Sequence, residues 1–373
     1  VAAIRRDEIA EYRDDKGAAA SVEEAGVMLF RGEGIITAAN SLRVNEDEIT
    51  WKDLVITIGS SANIPKISGL PAISYWTSDQ ALSVSEAPIS LAIVGGGPVA
   101  CELAQIFSRF GTQTTIIEFT NQLAGAEPAE IASRLAANLR KDGVRILLNT
   151  EVASAELTND KKSRLIFANG KSLEFHQVII ATGRHPQTTG LDLSILGIAL
   201  GKKGEISIDK ECRVIGTRNV WAAGDVTAIA PYTHTANYQA KIICENILGG
   251  ARKANYEAIP RAIYTDPPVA SVGDLTGDVA SGESATAKIE ISEVSRNATD
   301  GGDGGLLMLT ANLEKGVLIG ASAVGPYADE WMSEAALAIR AEVPLEMLED
   351  LVHAFPTFGE ALEVPIRELL AQQ

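Results

Sequence analysis

The chain has 373 residues, 46% of them hydrophobic and 22% charged, with 49 acidic against 32 basic side chains and a net charge of −17. That balance disfavours nucleic acid and anionic membranes as partners, and no run approaches the ~18 uninterrupted apolar residues of a membrane span. Single cores seldom grow past roughly 250 residues, so several domains are expected. The N-terminus, Val1-Ala2-Ala3-Ile4-Arg5-Arg6-Asp7, has neither an initiating Met nor the apolar core of a signal peptide. Cys101, Cys212 and Cys244 are odd in number and far apart, with no CxxC or CxxxxC pair, which fits a reducing, cytoplasmic setting. The four histidines show no metal-ligand spacing.

From the start of the chain to about residue 30 the pattern predicts a charged amphipathic helix. Val27 to Leu42 then carries short strand-like runs punctuated by Gly32 and Gly34. Leu54-Val55-Ile56-Thr57-Ile58-Gly59-Ser60 predicts a buried strand ending in glycine, and Pro65, Gly69 and Pro71 mark a loop before a domain boundary near Tyr75.

Ser90-Leu91-Ala92-Ile93-Val94 leads into Gly95-Gly96-Gly97-Pro98-Val99-Ala100 and then Cys101-Glu102-Leu103-Ala104-Gln105, a strand feeding a tight glycine turn that opens a helix. Such a turn cradles a dinucleotide pyrophosphate. Gly95 permits the turn, Gly97 lets backbone approach phosphate, and Ala100 is small enough for helix and strand to pack. The helix N-terminus offers unpaired N–H groups and a positive dipole end. The next strand, Thr112 to Ile117, ends in Glu118, 23 positions beyond Gly95, where an acid would accept the ribose hydroxyls of NAD. No Arg or Lys follows within ten residues to grip a 2′-phosphate, so NADH is expected over NADPH. The plainer alternative is an ordinary strand-to-helix turn with Glu118 as a solvated carboxylate.

Beyond Glu118 the order is a helix over 128–142, a strand over 144–148, and alternating strands with a turn at Asn169-Gly170, giving a right-handed α/β domain with an inserted β meander. Gln177 to Thr182 exits through Gly183-Arg184-His185-Pro186, as Leu54 to Ser60 exits through Gly59, which suggests two crossings between domains. A short strand at Ile206 to Ile208, a run Val220-Trp221-Ala222-Ala223-Gly224-Asp225 and a helix around Ala236 to Leu248 follow. Strands at 262–265 and 269–272, a strand pair across 306–324 and helices over 329–340 and 344–351 make a further unit. Asp300-Gly301-Gly302-Asp303-Gly304-Gly305 has too few acceptors for a calcium loop and predicts a hairpin connection.

Together these segments resemble the FAD-dependent pyridine nucleotide-disulfide oxidoreductases, the family of dihydrolipoamide dehydrogenase and mercuric reductase. The motifs that carry the resemblance are Leu54 to Gly69, Gly95 to Glu102, Ala181 to Pro186, Ala222 to Asp225, and Thr265-Asp266-Pro267-Pro268-Val269-Ala270-Ser271-Val272-Gly273. It implies an α/β fold with two Rossmann-like nucleotide-binding domains, the FAD one incomplete, and a C-terminal α+β dimerisation domain. The expected limits are 1–76 for part of the FAD domain, 77–187 for the NAD domain, 188–255 for the rest of the FAD domain and 256–373 for dimerisation.

The resemblance also implies site residues. Gly59, Gly183, Arg184, Gly224 and Asp225 would hold FAD, Asp225 accepting hydrogen bonds from the ribitol, and the N–H of Ala236 would face the flavin ring, with Thr235 as a plain helix cap in the alternative. Glu102 would lie near the nicotinamide, although a Glu early in a helix is favoured by the dipole in any case. The family's His-Pro-Thr-x-x-Glu reads here Phe355-Pro356-Thr357-Phe358-Gly359-Glu360, which keeps Glu360 as a catalytic candidate but replaces the general acid/base by a phenyl ring. His353, two residues earlier, is a weaker candidate base. Pro98 stands where many members carry a gating Tyr.

The family's first βαβ unit and its CxxxxC disulfide are absent, so a preceding segment is expected. The implied protein is a homodimer that passes hydride from NADH to FAD and electrons to a small-molecule acceptor. A catalytically silent nucleotide-binding and dimerisation module is the alternative, and a mercuric reductase relative would need a vicinal Cys pair that the C-terminus lacks. Trp331, Met332, Ala336 and Leu337, with Leu345 and Leu348, are expected to supply the dimer contact. Cys101 and Cys244, each set in a helix among apolar neighbours, are expected to be inert.

Overall fold

A computed structural model describes residues 2–10, 14–276, 283–302 and 304–373. The chain forms two compact units, one of Val1–Ser61, Ser83–Glu86 and Arg184–Ala254, the other of Ala62–Leu82, Ala87–Gly183 and Asn255–Gln373. Among the described residues no helix is long and apolar enough to cross a membrane.

The second unit holds a five-stranded parallel sheet in the order Tyr75–Trp76, Gln177–Ile180, Ser90–Val94, Gln113–Ile117, Arg145–Leu147. A parallel sheet covered on both faces needs strands apolar on both sides, and Leu91 to Val94 and Val178 to Ile180 are buried without alternation. Helices Pro98–Arg109 and Ala129–Lys141 supply cover through Ala100, Leu103, Ala104 and Phe107 and through Ile131, Leu135 and Leu139. The meander is present as Val152–Leu157, Ser163–Phe167 and Ser172–Phe175, its second turn made at Gly170 with a φ of 79°.

The same unit contains a five-stranded antiparallel sheet, ordered Arg261–Ile263, Val269–Gly273, Val317–Val324, Leu306–Asn312, Ser284–Glu290. Helices Ala328–Arg340, Leu345–Glu349 and Glu363–Leu370 accompany it. Met332, Leu345 and Leu348 lie in the core formed with this sheet, whereas Leu337 is 66% exposed and the Trp331 Nε1–H donates to Pro326 O. The face expected to meet a second subunit therefore divides, its larger side chains having been consumed by the domain's own core. Of the Asp300–Gly305 stretch, Asp300 closes the helix Ser295–Asp300 and Asp303 lies outside the described residues.

In the first unit, strands Gly34–Ala38, Ser41–Val44 and Asp47–Thr50 form an antiparallel sheet, and Leu54–Ile56 pairs in parallel with Val220–Ala222. Ile36, Ile56, Val214, Val220, Ala222 and Val226 build its core. Four expectations change here. The N-terminal amphipathic helix is two short helices, Ala2–Ile9 and Lys16–Glu24, the latter with no buried residue, since neither has a long enough apolar stripe to bury. The buried strand expected from Leu54 to Ser60 is only Leu54–Ile56, which buries Ile56 but leaves Val55 about two-fifths exposed, as is Ile58 beyond its end. Ile206 to Ile208 makes only isolated bridges, to Leu200 and Val214, rather than a strand. Cys244 is exposed on its helix.

Candidate functional site

At the C-terminal end of the central strand of the parallel sheet, Ser90–Val94 runs into Gly95, whose φ of 113° strains any side chain and whose Cβ would strike the Ala181 carbonyl. Gly95 N–H donates to Ile117 O at 2.9 Å, tying the turn to the neighbouring strand. Gly97 is extended and opens the helix, with Pro98 in the first turn and no side-chain cap. A Cβ on Gly97 would meet nothing of the protein. Room beside uncapped N–H groups at a helix start fits a phosphate. Ala100 is fully buried, as the packing of helix on sheet requires.

Glu118 follows directly on the strand Gln113–Ile117 and is 8% exposed. Its Oε1 accepts from the Thr120 N–H at 2.7 Å and from the Thr120 hydroxyl at 2.7 Å. Its other oxygen lies against Gly96, where a Cβ would come within 2.9 Å of Oε2 and 2.8 Å of Cγ. The middle glycine, given no role by the fingerprint reading, is thus required by the carboxylate beneath it. A run of three consecutive glycines was the available signal. The Cys101 thiol beside this turn is pushed up to about 12 by burial, with Glu102 and Glu118 adding to the effect, and is inert as expected. Exposed Cys244 does not share that protection.

Glu102, on the same helix, has its pKa raised by burial, against the lowering effect of its bond from the Tyr264 N–H at 2.9 Å. Gln105, one turn on, accepts from the Asp266 N–H at 2.8 Å and donates to Asp266 O at 2.9 Å. Arg109 reaches the Asp266 carboxylate at 2.8 Å. The spacing 102, 105, 109 lies on one helix face, and that face grips residues 264–266. Glu127 is the deepest tie to the antiparallel sheet, accepting from Arg261 Nε at 2.8 Å, from Ser322 Oγ at 3.1 Å and from Ser271 Oγ.

In the first unit Asp225 follows the strand Val220–Ala222 and is brought against Ser60 and Arg184. The Ser60 hydroxyl donates to Asp225 Oδ2 at 2.5 Å and accepts from Arg184 Nε at 2.7 Å, while Arg184 Nη2 donates to Ser60 O at 2.6 Å. Ser60 went unnoticed in the sequence, its only signal being its place after Gly59. Gly59 and Gly224 both take positive φ, 70° and 78°, and the Gly224 N–H donates to the buried Gln239 Oε1 at 2.7 Å. Gly183, with a φ of 111°, belongs to the other unit, where its carbonyl accepts from the Asn63 N–H at 2.9 Å.

The helix Thr233–Ile247 starts three residues before Ala236, so the Ala236 N–H is committed to Tyr232 O at 3.1 Å. An anion at this helix end would be met by N–H groups of the preceding turn rather than by that of Ala236. Thr235 is not the cap either. It sits inside the first turn, fully buried, with its hydroxyl unpartnered, an orphan that a bound group with polar atoms would satisfy.

Phe355 is 74% exposed, and the Glu360 carboxylate accepts from the Thr357 N–H at 2.7 Å. His353 turns away to lie between Glu334 and Glu363, each at 3.0 Å. Burial alone would push this imidazole down, but the two carboxylates outweigh it and raise its pKa. A raised folded pKa gives stability that is complete below the ordinary value of about 6.5 and is lost as pH rises through the folded one. The melting temperature of wild type relative to His353→Gln should therefore be highest below about pH 6.5 and fall toward that of the variant as pH rises through the raised folded value. A difference that grows on the alkaline side would contradict this.

The profile of the pyridine nucleotide-disulphide oxidoreductases matches residues 3–240, and that of their dimerisation domain matches residues 259–365. The chain belongs to this family. The mercuric reductase of Staphylococcus aureus is 32% identical over 92% of this chain and 63% of its own length, and the dihydrolipoyl dehydrogenase of Geobacillus stearothermophilus is 32% identical over 90% and 72%. The chain thus spans roughly two thirds of the length of these relatives. Among solved structures, the copper(II) complex of the HOCl-induced flavoprotein disulfide reductase RclA from Escherichia coli superposes with a TM-score of 0.88 at 25% identity, covering 97% of this chain and 84% of that one. The α/β architecture with Rossmann-like domains and a C-terminal dimerisation domain is that of the family, which uses FAD and NAD(P)H.

Proposed function

We propose that this chain serves a homodimeric, cytoplasmic oxidoreductase that takes hydride from NADH onto FAD and delivers electrons to a small-molecule acceptor other than a disulfide. The observation that carries the reading is the turn at Gly95 to Ala100 with Glu118 beneath it. Gly97 leaves room for pyrophosphate at an uncapped helix start, and Glu118 offers an acceptor to the ribose hydroxyls. Glu102, two positions beyond Ala100, is our candidate for the group beside the nicotinamide. On the flavin side, Gly59, Gly183, Arg184, Gly224 and Asp225 are the binding candidates. The Asp225 carboxylate, held by Ser60, would accept from a polyol, and the start of the Thr233–Ile247 helix would favour negative charge.

The chemistry that bound FAD supplies is acceptance of a hydride from NADH and release of two electrons to an acceptor. What the chain contributes is orientation and charge.

The acceptor follows from Phe355. Reduction of a disulfide to a dithiol needs a group that gives and takes a proton at the thiol, and a phenyl ring cannot. Glu360 is engaged with the Thr357 N–H, and His353 is held between two carboxylates. Supplied with FAD, the protein should oxidise NADH with artificial one- or two-electron acceptors while turning over dihydrolipoamide slowly. Phe355→His alone should add little. Rapid dihydrolipoamide turnover by the unaltered protein would refute the proposed acceptor class.

A further inference from the structure

Glu118 has two oxygens, and the fold treats them differently. Oε1 takes both the N–H and the hydroxyl of Thr120, whereas Oε2 is directed to the Gly96 backbone, beside the start of the Pro98–Arg109 helix. The carboxylate can sit there only because Gly96 has no Cβ, and a side chain so enclosed has little freedom to find its place by itself. Thr120 is not required for the strand, which ends at Ile117, or for any core. Its backbone N–H would bond Oε1 whatever the side chain. The hydroxyl has one proton and two acceptors in reach, Glu118 Oε1 at 2.7 Å and Gln122 O at 3.0 Å, and the nearer, charged carboxylate oxygen is the stronger acceptor. With that proton on Oε1, the carboxylate oxygen carries two short bonds and its terminal torsion is held.

We propose that Thr120 is a positioning residue for nucleotide choice: it holds the Glu118 carboxylate so that Oε2 alone is left to accept from a ribose hydroxyl and to repel a 2′-phosphate. This rests on the reading of Glu118 as the ribose acid. A carboxylate held by the Thr120 N–H alone would still be negative, but it would be less firmly oriented and would accept a ribose hydroxyl less well. The hydroxyl also lies within reach of Gln122 O, so the readout that separates positioning from a loop-bracing role is the NADPH-to-NADH ratio and not stability.

The test is the ratio of NADPH to NADH dissociation constants, measured from nucleotide fluorescence on binding to the purified protein, without turnover. A hydrogen bond to a charged group supports an expected fall in that ratio of about fivefold to tenfold for Thr120→Val, mostly through weaker NADH binding. Thr120→Ser, which keeps the hydroxyl, should restore the ratio, and Thr120→Ala should behave as Thr120→Val does if the latter folds poorly. Glu118→Gln serves as the reference. If Glu118→Gln collapses the ratio while Thr120→Val and Thr120→Ala leave it at the wild-type value, the positioning role is overturned. If Glu118→Gln leaves the ratio unchanged, the ribose-acid reading itself fails and the proposal with it.

Discussion

Replacing Arg261 by Ala should destabilise the unit that contains both sheets by about 3–5 kcal/mol, the usual cost of leaving a buried ionic partner uncompensated. Glu127 has a side chain only 4% exposed and, besides its two serine hydroxyls, one cationic partner, Arg261 Nε at 2.8 Å. Without the guanidinium, a carboxylate shut away from water retains only Ser271 and Ser322. Glu127→Gln with Arg261→Ala should recover much of the loss, because the amide carries no charge to strand. Chemical denaturation of the two variants checks this, and equal losses in the single and double variants would contradict it.

Gly95→Ala should abolish measurable NADH binding. Two independent penalties meet at this position. A φ of 113° lies where an L side chain is strained, which costs on the order of 1–3 kcal/mol, and the added Cβ would strike the Ala181 carbonyl, which is backbone and cannot swing aside. Relief requires the turn to shift, and the turn carries Gly97 and the helix start. Titration with NADH reports the result directly, and binding within about threefold of wild type would mean that the turn is not the nucleotide cradle. Gly97→Ala is the instructive comparison. Its backbone is extended and its Cβ meets no protein atom, so folding should tolerate it while nucleotide binding suffers, the space being ligand space.

The glycine turn and the acid beside it are legible because everything that makes them is local. Strand, glycines, small residue and acid follow one another within about thirty residues, the length of one βαβ unit. What escaped the sequence was what those residues touch. Thr120, in the loop after its strand, and Ser60, at the start of the short strand Ser60–Ala62, carry no signal of their own until the fold sets them against Glu118 and Asp225. The strand Ser284–Glu290 was missed because its alternating inward positions are Ala285, Ala287 and Ile289, and two of those three are small residues of low strand propensity. Ile206 to Ile208 erred the other way, since β-branched residues favour extension but only a neighbour with a free edge makes a strand. Met332 and Leu337 lie five residues apart, about 140° around the helix, so the single apolar face expected of them is too wide for the helical period. Only the position of the sheet decides that Met332 is core and Leu337 surface. The same limit applies to Cys244, whose helix was evident and whose outward direction was not.

The most direct test of the account is the visible absorption of the purified protein after incubation with FAD and removal of the excess, followed without oxygen as NADH is added. A yellow protein whose flavin band is lost with about one equivalent of NADH, and much more slowly with NADPH, is the predicted result. A protein that binds NADH yet retains no flavin, or whose bound flavin keeps its colour under excess NADH, would contradict it and leave a nucleotide-binding and dimerisation module without turnover of its own.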